Sequence, residues 1–206
     1  MRVLLLGTGM QGKAALHDLA SSGAVTEVVA ADRDIRGLES LVQGRGYGAQ
    51  VRCQALDAAD GAALGRLIGG GFDVAINLLP SPLAAFVATQ AVRHGVHVVS
   101  TDYVSPELRA LGSEAEASGV AILPEFGMDP GIDLVLLGEA VRRLDEVTDV
   151  VSYGAGIPEP EAAGNPIQYK VSWSFAGVLR AYRRGARIKR DGRVVDIPAV
   201  AQFHPD

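Results

Sequence analysis

Residues 1–12 read Met-Arg-Val-Leu-Leu-Leu-Gly-Thr-Gly-Met-Gln-Gly, an apolar run from Val3 to Leu6 that breaks directly into a glycine turn and a helix-compatible segment. That order is what a dinucleotide-binding turn requires. Gly7 allows the tight exit from the strand, Gly9 lets bare backbone approach a pyrophosphate, and Gly12 lets the helix pack closely on the strand. Thr8, Met10 and Gln11 complete the turn, and the N–H groups at the helix start supply the positive end that holds phosphates. A rival pattern shares these residues: Gly7 to Lys13 fits the opening of a triphosphate-binding loop. Such a loop needs Ser or Thr next, to bind magnesium, and Ala14 stands there. The dinucleotide reading asks instead for an acidic residue about 20 positions beyond the last glycine. Asp32 closes the strand-like Thr26–Ala31 and meets that requirement. Its carboxylate suits the adenosine ribose and repels a 2′-phosphate, which favours NAD over NADP, while Arg33 can stack on adenine or offset the repulsion. The expected cofactor is NAD (or NADP).

Outward from this turn, apolar strands alternate with helical segments: strands Val3–Leu6, Thr26–Ala31, Val51–Leu56, Phe72–Asn77, Val96–Ser100 and Val120–Pro124. Between them lie helices near Gln11–Ser22, Asp34–Gln43, Asp60–Ile68, Leu83–His94 and Pro106–Ser118. Repeated βα units of this length predict an α/β fold, a Rossmann-type doubly wound parallel sheet over residues 1–124. Over 125–206 the pattern changes to the start of an α+β domain, expected to be C-terminally incomplete. Its predicted parts are a helix at Gly131–Leu144, a strand at Val147–Tyr153, and a Pro/Gly/Glu-rich loop at Gly154–Pro166. A strand-like Tyr169–Trp173, with Trp173 in the core, a helix at Ser174–Arg184 and a hairpin at Arg187–Ile197 turning on Asp191-Gly192 complete it.

The chain has 206 residues, 48% of them hydrophobic, which allows a sizeable core. No apolar run reaches membrane-span length, and Met1 leads straight into a strand, so a soluble cytoplasmic protein without signal peptide or membrane association is expected. One cysteine, Cys53, and four scattered histidines argue against a disulfide or a zinc cluster. Residues 166–206 carry eight Lys/Arg against three acidic residues within a protein of net charge −5. The cluster Arg180, Arg183, Arg184, Arg187, Lys189, Arg190 and Arg193 reads first as a solvated face and second as a wall for an anion. Nucleic acid is disfavoured, because the whole chain is acidic and the cluster is interleaved with Tyr182 alone among aromatics.

Sites in such sheets lie beyond the C-terminal strand ends. Asp57 is placed there to meet the adenine edge or simply to turn the chain, and Asn77 and Leu78 to pass near the nicotinamide. The densest polar stretch is Glu125-Phe-Gly-Met-Asp-Pro-Gly-Ile-Asp133. Within it, Asp129 before Pro130 reads as a helix cap. Tyr103 is a candidate proton donor or acceptor, or a packed tyrosine with a satisfied hydroxyl.

The chain resembles the saccharopine dehydrogenase-like oxidoreductases, including saccharopine reductases and lysine 6-dehydrogenases. Besides the glycine turn, the resemblance rests on His97–Pro106, Gly127-Met-Asp-Pro-Gly-Ile-Asp133, Ser152-Tyr-Gly-Ala-Gly-Ile-Pro158 and Asn165–Leu179. It implies nicotinamide-dependent hydride transfer at an amine or imine carbon of an amino-acid-derived substrate, by a protein that is a homodimer when complete. A carboxyspermidine-type reductase and a dinucleotide-binding module without turnover are the alternatives. The resemblance places Asp129 and Tyr103 near the substrate as proton-handling residues, and Tyr169–Ser174 in the substrate wall. Saccharopine reductases carry a cysteine where this chain has Gly154.

Overall fold

The computed structural model describes residues 1–154, 156, 158–166, 168–170 and 175–201. These form two compact units, residues 1–150 and 151–206. The first unit runs β1 (Arg2–Leu6), α1 (Met10–Ser21), β2 (Glu27–Asp32), α2 (Arg36–Arg45), β3 (Val51–Ala55) and α3 (Gly61–Ile68). It continues through β4 (Val74–Asn77), α4 (Ala84–Arg93), β5 (His97–Ser100), α5 (Pro106–Ala110), α6 (Gly112–Ala117), β6 (Ile122–Leu123) and α7 (Ile132–Arg142).

The six strands are parallel in the order β3-β2-β1-β4-β5-β6, so the connections reverse direction between β1 and β4. Alternating residues explain why the interiors of β1 and β2, Val3–Leu6 and Val28–Ala31, are apolar without a break. Leu4, Leu6, Val29 and Ala31 bury one face under Leu64, Ile68, Val87 and Ala91 of α3 and α4. Val3, Leu5, Val28 and Ala30 bury the other under Leu16 and Leu38 of α1 and α2. A strand covered on both sides needs no polar alternation. Each fully buried leucine of this set contributes about 1.5–3 kcal/mol.

Several elements depart from the sequence reading. The helix expected over Pro106–Ser118 is two, because Leu111 ends α5 and begins α6. The strand expected over Val120–Pro124 shrinks to Ile122–Leu123, and Glu125 then takes the left-handed region at φ 64°. Val147–Tyr153 forms no strand: nothing among the described residues pairs with it, and β-branched composition fits a sheet surface without creating one. The cap assigned to Asp129 belongs elsewhere. Gly131 occupies the N-cap of α7, and Asp133 Oδ1 accepts the Gly131 N–H at 2.7 Å. Asp34 lies one residue before the α2 cap position held by Ile35, and its Oδ1 accepts the Arg36 N–H at 3.2 Å. Asp60 caps α3, accepting the Ala62 and Ala63 N–H groups.

The second unit contains α8 (Pro160–Ala163), within the segment expected as loop, then α9 (Phe175–Ala181), β7 (Ala186–Arg190) and β8 (Arg193–Ile197). The β7–β8 hairpin turns at Asp191 (φ 51°) and Gly192 (φ 73°), the paired positive angles that suit right-handed strand twist. Arg187 pairs with Asp196 across it at 2.7 Å, so the basic cluster carries its own counter-charge there. Of the expected strand Tyr169–Trp173, Tyr169 and Lys170 are not in a strand, and Val171–Trp173 lie outside the described residues. No helix among the described residues is long and apolar enough to cross a membrane.

Candidate functional site

The glycine turn joins β1 to α1 at the sheet reversal. Gly7 has φ 90°, and a Cβ there would meet the Leu78 carbonyl oxygen at 2.8 Å. Gly12 rests on Gly7 itself: a Cβ would lie 2.1 Å from the Gly7 carbonyl oxygen. Around Gly9 nothing beyond its immediate chain neighbours lies within 4 Å of that position. Gly9 is also the N-cap of α1, which no side chain caps. Two glycines are thus required by the protein's own packing, while the third faces open space at an uncapped helix N-terminus. That combination fits a pyrophosphate. Thr8 is buried, whereas Met10 and Gln11 are exposed at the start of the helix.

Asp32 sits at the end of β2, as expected, but its carboxylate is turned toward the turn. Oδ2 accepts the Thr8 N–H at 2.7 Å and the Thr8 hydroxyl at 3.0 Å, and Oδ1 accepts the Asp34 N–H at 3.3 Å. Burial pushes this carboxyl up, but the Thr8 bonds and the backbone N–H groups of Arg33 and Asp34 together hold it below the usual range. Arg33 is exposed beside it. Asp57 is a turn residue whose Oδ1 accepts the Ala59 N–H at 3.0 Å. Asn77 is 1% exposed, and its Oδ1 accepts the Leu79 N–H at 3.2 Å. Nδ2 of Asn77 and Oδ2 of Asp102 are buried at adjacent strand ends without hydrogen-bond partners among the described residues.

A cavity of about 350 Å³ lies over the carboxyl ends of β4 and β5, lined by Gln11, Leu78, Ser100, Thr101, Phe126 and Gly127 among others. Its walls are largely apolar with few polar groups, as small-molecule sites are. At its margin the loops after β5 and β6 converge. Tyr103 and Asp129, 26 residues apart, meet there: the Tyr103 hydroxyl donates to Asp129 Oδ1 at 3.1 Å. Both are exposed, and so are Phe126 and Met128.

Sequence reasoning missed Asp102 and Glu125. Burial raises the Asp102 carboxyl, partly offset by the Ser81 hydroxyl. The position of Asp102 directly before Tyr103, just past a strand end, was the one signal available in the sequence. Tyr169 lies in the second unit, tilted against Phe175 with ring centroids 6.3 Å apart. Ser174 lies outside the described residues.

Residues 3–123 match the saccharopine dehydrogenase NADP binding domain, and residues 127–205 the saccharopine dehydrogenase C-terminal domain. The NADP(+), L-glutamate-forming saccharopine dehydrogenase of Pyricularia oryzae is 35% identical over 202 residues, covering 95% of this chain and 43% of that protein. An alpha-aminoadipic semialdehyde synthase of Arabidopsis thaliana is 31% identical, over 95% of this chain and 20% of the relative. The solved apo structure of the L-Glu-forming saccharopine dehydrogenase from Saccharomyces cerevisiae superposes with a TM-score of 0.79 at 31% identity, over 97% of this chain and 44% of that one. The chain therefore spans less than half the length of these relatives. With a glycine turn, a parallel sheet and both domain matches in agreement, the chain belongs to the saccharopine dehydrogenase family.

Proposed function

We propose that the complete protein is a nicotinamide-dependent oxidoreductase acting on the CH–NH group of an amino-acid substrate of the saccharopine or lysine type. Residues 1–124 form its dinucleotide-binding domain and residues 125–206 begin its substrate domain, a division supported by the two family matches. The complete protein is taken to be a cytoplasmic homodimer. One observation carries the functional reading: the Tyr103–Asp129 hydrogen bond at the carboxyl end of the sheet, beside a cavity that Gln11 and Leu78 also line. The bound cofactor supplies a hydride acceptor or donor. The chain's own residues do the rest. Asp129 accepts a proton at its carboxylate, Tyr103 holds one at its hydroxyl, and the pair manages the protons of an amine nitrogen and water. Phe126 adds apolar surface to the cavity lining.

NADP(H) is the proposed cofactor form. Asp32 is engaged by Thr8, and exposed Arg33 is the nearby cation suited to a 2′-phosphate. The Pyricularia oryzae relative is named for NADP(+).

The test uses the full-length protein with Asp129→Asn. Loss of a general acid or base lowers the rate roughly 10²–10⁴-fold and removes one limb of the pH–rate profile. NADPH affinity, measured by fluorescence titration, stays unchanged. Near-normal turnover with an unaltered pH profile would confine Asp129 to a non-catalytic role. NADH bound more tightly than NADPH would restore the preference that the charge of Asp32 alone predicts.

A further inference from the structure

Glu125 follows β6 directly after Pro124, and it is one of three non-glycine residues with positive φ among those described. An L-residue in this region is strained and persists where surrounding contacts over-determine it. Those contacts are visible. The Glu125 N–H donates to the Asp102 carbonyl at 3.0 Å, and the next residue, Phe126, donates its N–H to the Ser100 carbonyl at 2.9 Å. The Glu125 side chain, part-buried, reaches in the same direction: its Oε1 accepts the Val104 N–H at 3.2 Å. Glu125 therefore grips the residues on both sides of Tyr103, its main chain holding Asp102 and its carboxylate holding Val104. The left-handed turn makes this grip compatible with the onward path of the chain. After it, residues 126–129 run back to bring Asp129 against the Tyr103 hydroxyl.

We propose that Glu125 is the positioning residue of this site, acting through its bond to Val104 to fix Tyr103 in register with Asp129. The proposal rests on the proton-handling reading of that pair. Glu125 itself need not exchange a proton. Its role requires an acceptor oxygen at the Oε1 position, and a carboxamide supplies one as well as a carboxylate does. Orientation of this kind matters because displacement of a reacting group by about 1 Å can cost on the order of 10²-fold in rate.

Three full-length variants separate the outcomes. Glu125→Gly removes the side-chain bond while relieving the backbone strain, so the protein folds. It is expected to lower kcat roughly 10- to 100-fold with little change in KM. It should also shift or flatten the pH-profile limb that Asp129→Asn removes, and raise amide hydrogen exchange at Val104. Glu125→Gln keeps the acceptor and should restore most of the rate, the pH profile and the protection of Val104. In a Tyr103→Phe background, Glu125→Gly should cost little more, because the group it positions is gone. If Glu125→Gln is as damaging as Glu125→Gly, Glu125 acts through its charge or its proton and the positioning role is wrong. If Glu125→Gly changes hydrogen exchange or Tm but neither kcat nor the pH profile, its role is structural and the proposal fails. Asp129→Asn, run in parallel, keeps the two readings apart. A strong Asp129 effect with a silent Glu125→Gly overturns the positioning role alone, whereas a silent Asp129→Asn overturns the proton-handling pair.

Discussion

Gly9 and Gly12 are the same residue under opposite constraints. Gly12 is held by the protein, since any Cβ there runs into the Gly7 carbonyl, whereas a Cβ at Gly9 meets nothing beyond its own chain neighbours. Gly12→Ala should therefore destabilise the isolated chain by roughly 1–3 kcal/mol, the usual cost of overpacking. Gly9→Val should stay folded in calorimetry, losing at most about 1 kcal/mol as a poorer helix cap, yet lose NADPH binding, because its side chain enters the space left for pyrophosphate. The reverse pattern would mean that the two roles have been exchanged. Asp102 offers a test by pH. Burial raises its carboxyl, so the folded state disfavours the charged form. For a raised carboxyl, the stability contribution is fully present below the unfolded value of about 3.9 and is lost as pH rises through the folded value. Asp102→Asn removes the charge and should raise Tm at pH 7 relative to the parent, with the gain shrinking toward pH 4. A gain of equal size at both pH values would show that packing, not charge, is responsible.

At the scale of elements, α7 stands apart from the helices of the sheet. α1 and α4 each turn one face to the core, while α7 has no buried residue, and Leu134, Val135, Leu136 and Val141 are all exposed. Leu134 to Leu137 put exposed apolar side chains all round one turn, and contiguous exposed apolar surface marks an association face. The 206-residue chain should bind the dye ANS. Exchanging Val135 and Leu136 for lysine should reduce that fluorescence without loss of helical circular dichroism. Undiminished dye binding in the double variant would place the exposed apolar surface elsewhere. The caps teach a related lesson. Asp60 caps a helix that begins at once, whereas the turn from Gly127 to Gly131 displaces the start of α7 and passes the satisfying role from Asp129 to Asp133.

For the molecule as a whole, the alternation of strands and helices, the glycine turn and Asp32 were readable from residue order. They depend on local conformational demands and on periodicity that neighbouring residues carry. The Asp191-Gly192 hairpin was readable for the same reason. Chain order alone left open the sheet order, with β1 between β2 and β4, and the direction in which Asp32 points. It also left open the meeting of Tyr103 with Asp129 and the grip of Glu125 on Val104. Each of these joins segments far apart in the chain, and depends on the register of adjacent strands and the path of the loops leaving them. Residue type marks a carboxylate as capable of capping, binding or proton transfer. The tertiary structure decides among these, because it determines which donor lies within hydrogen-bond reach.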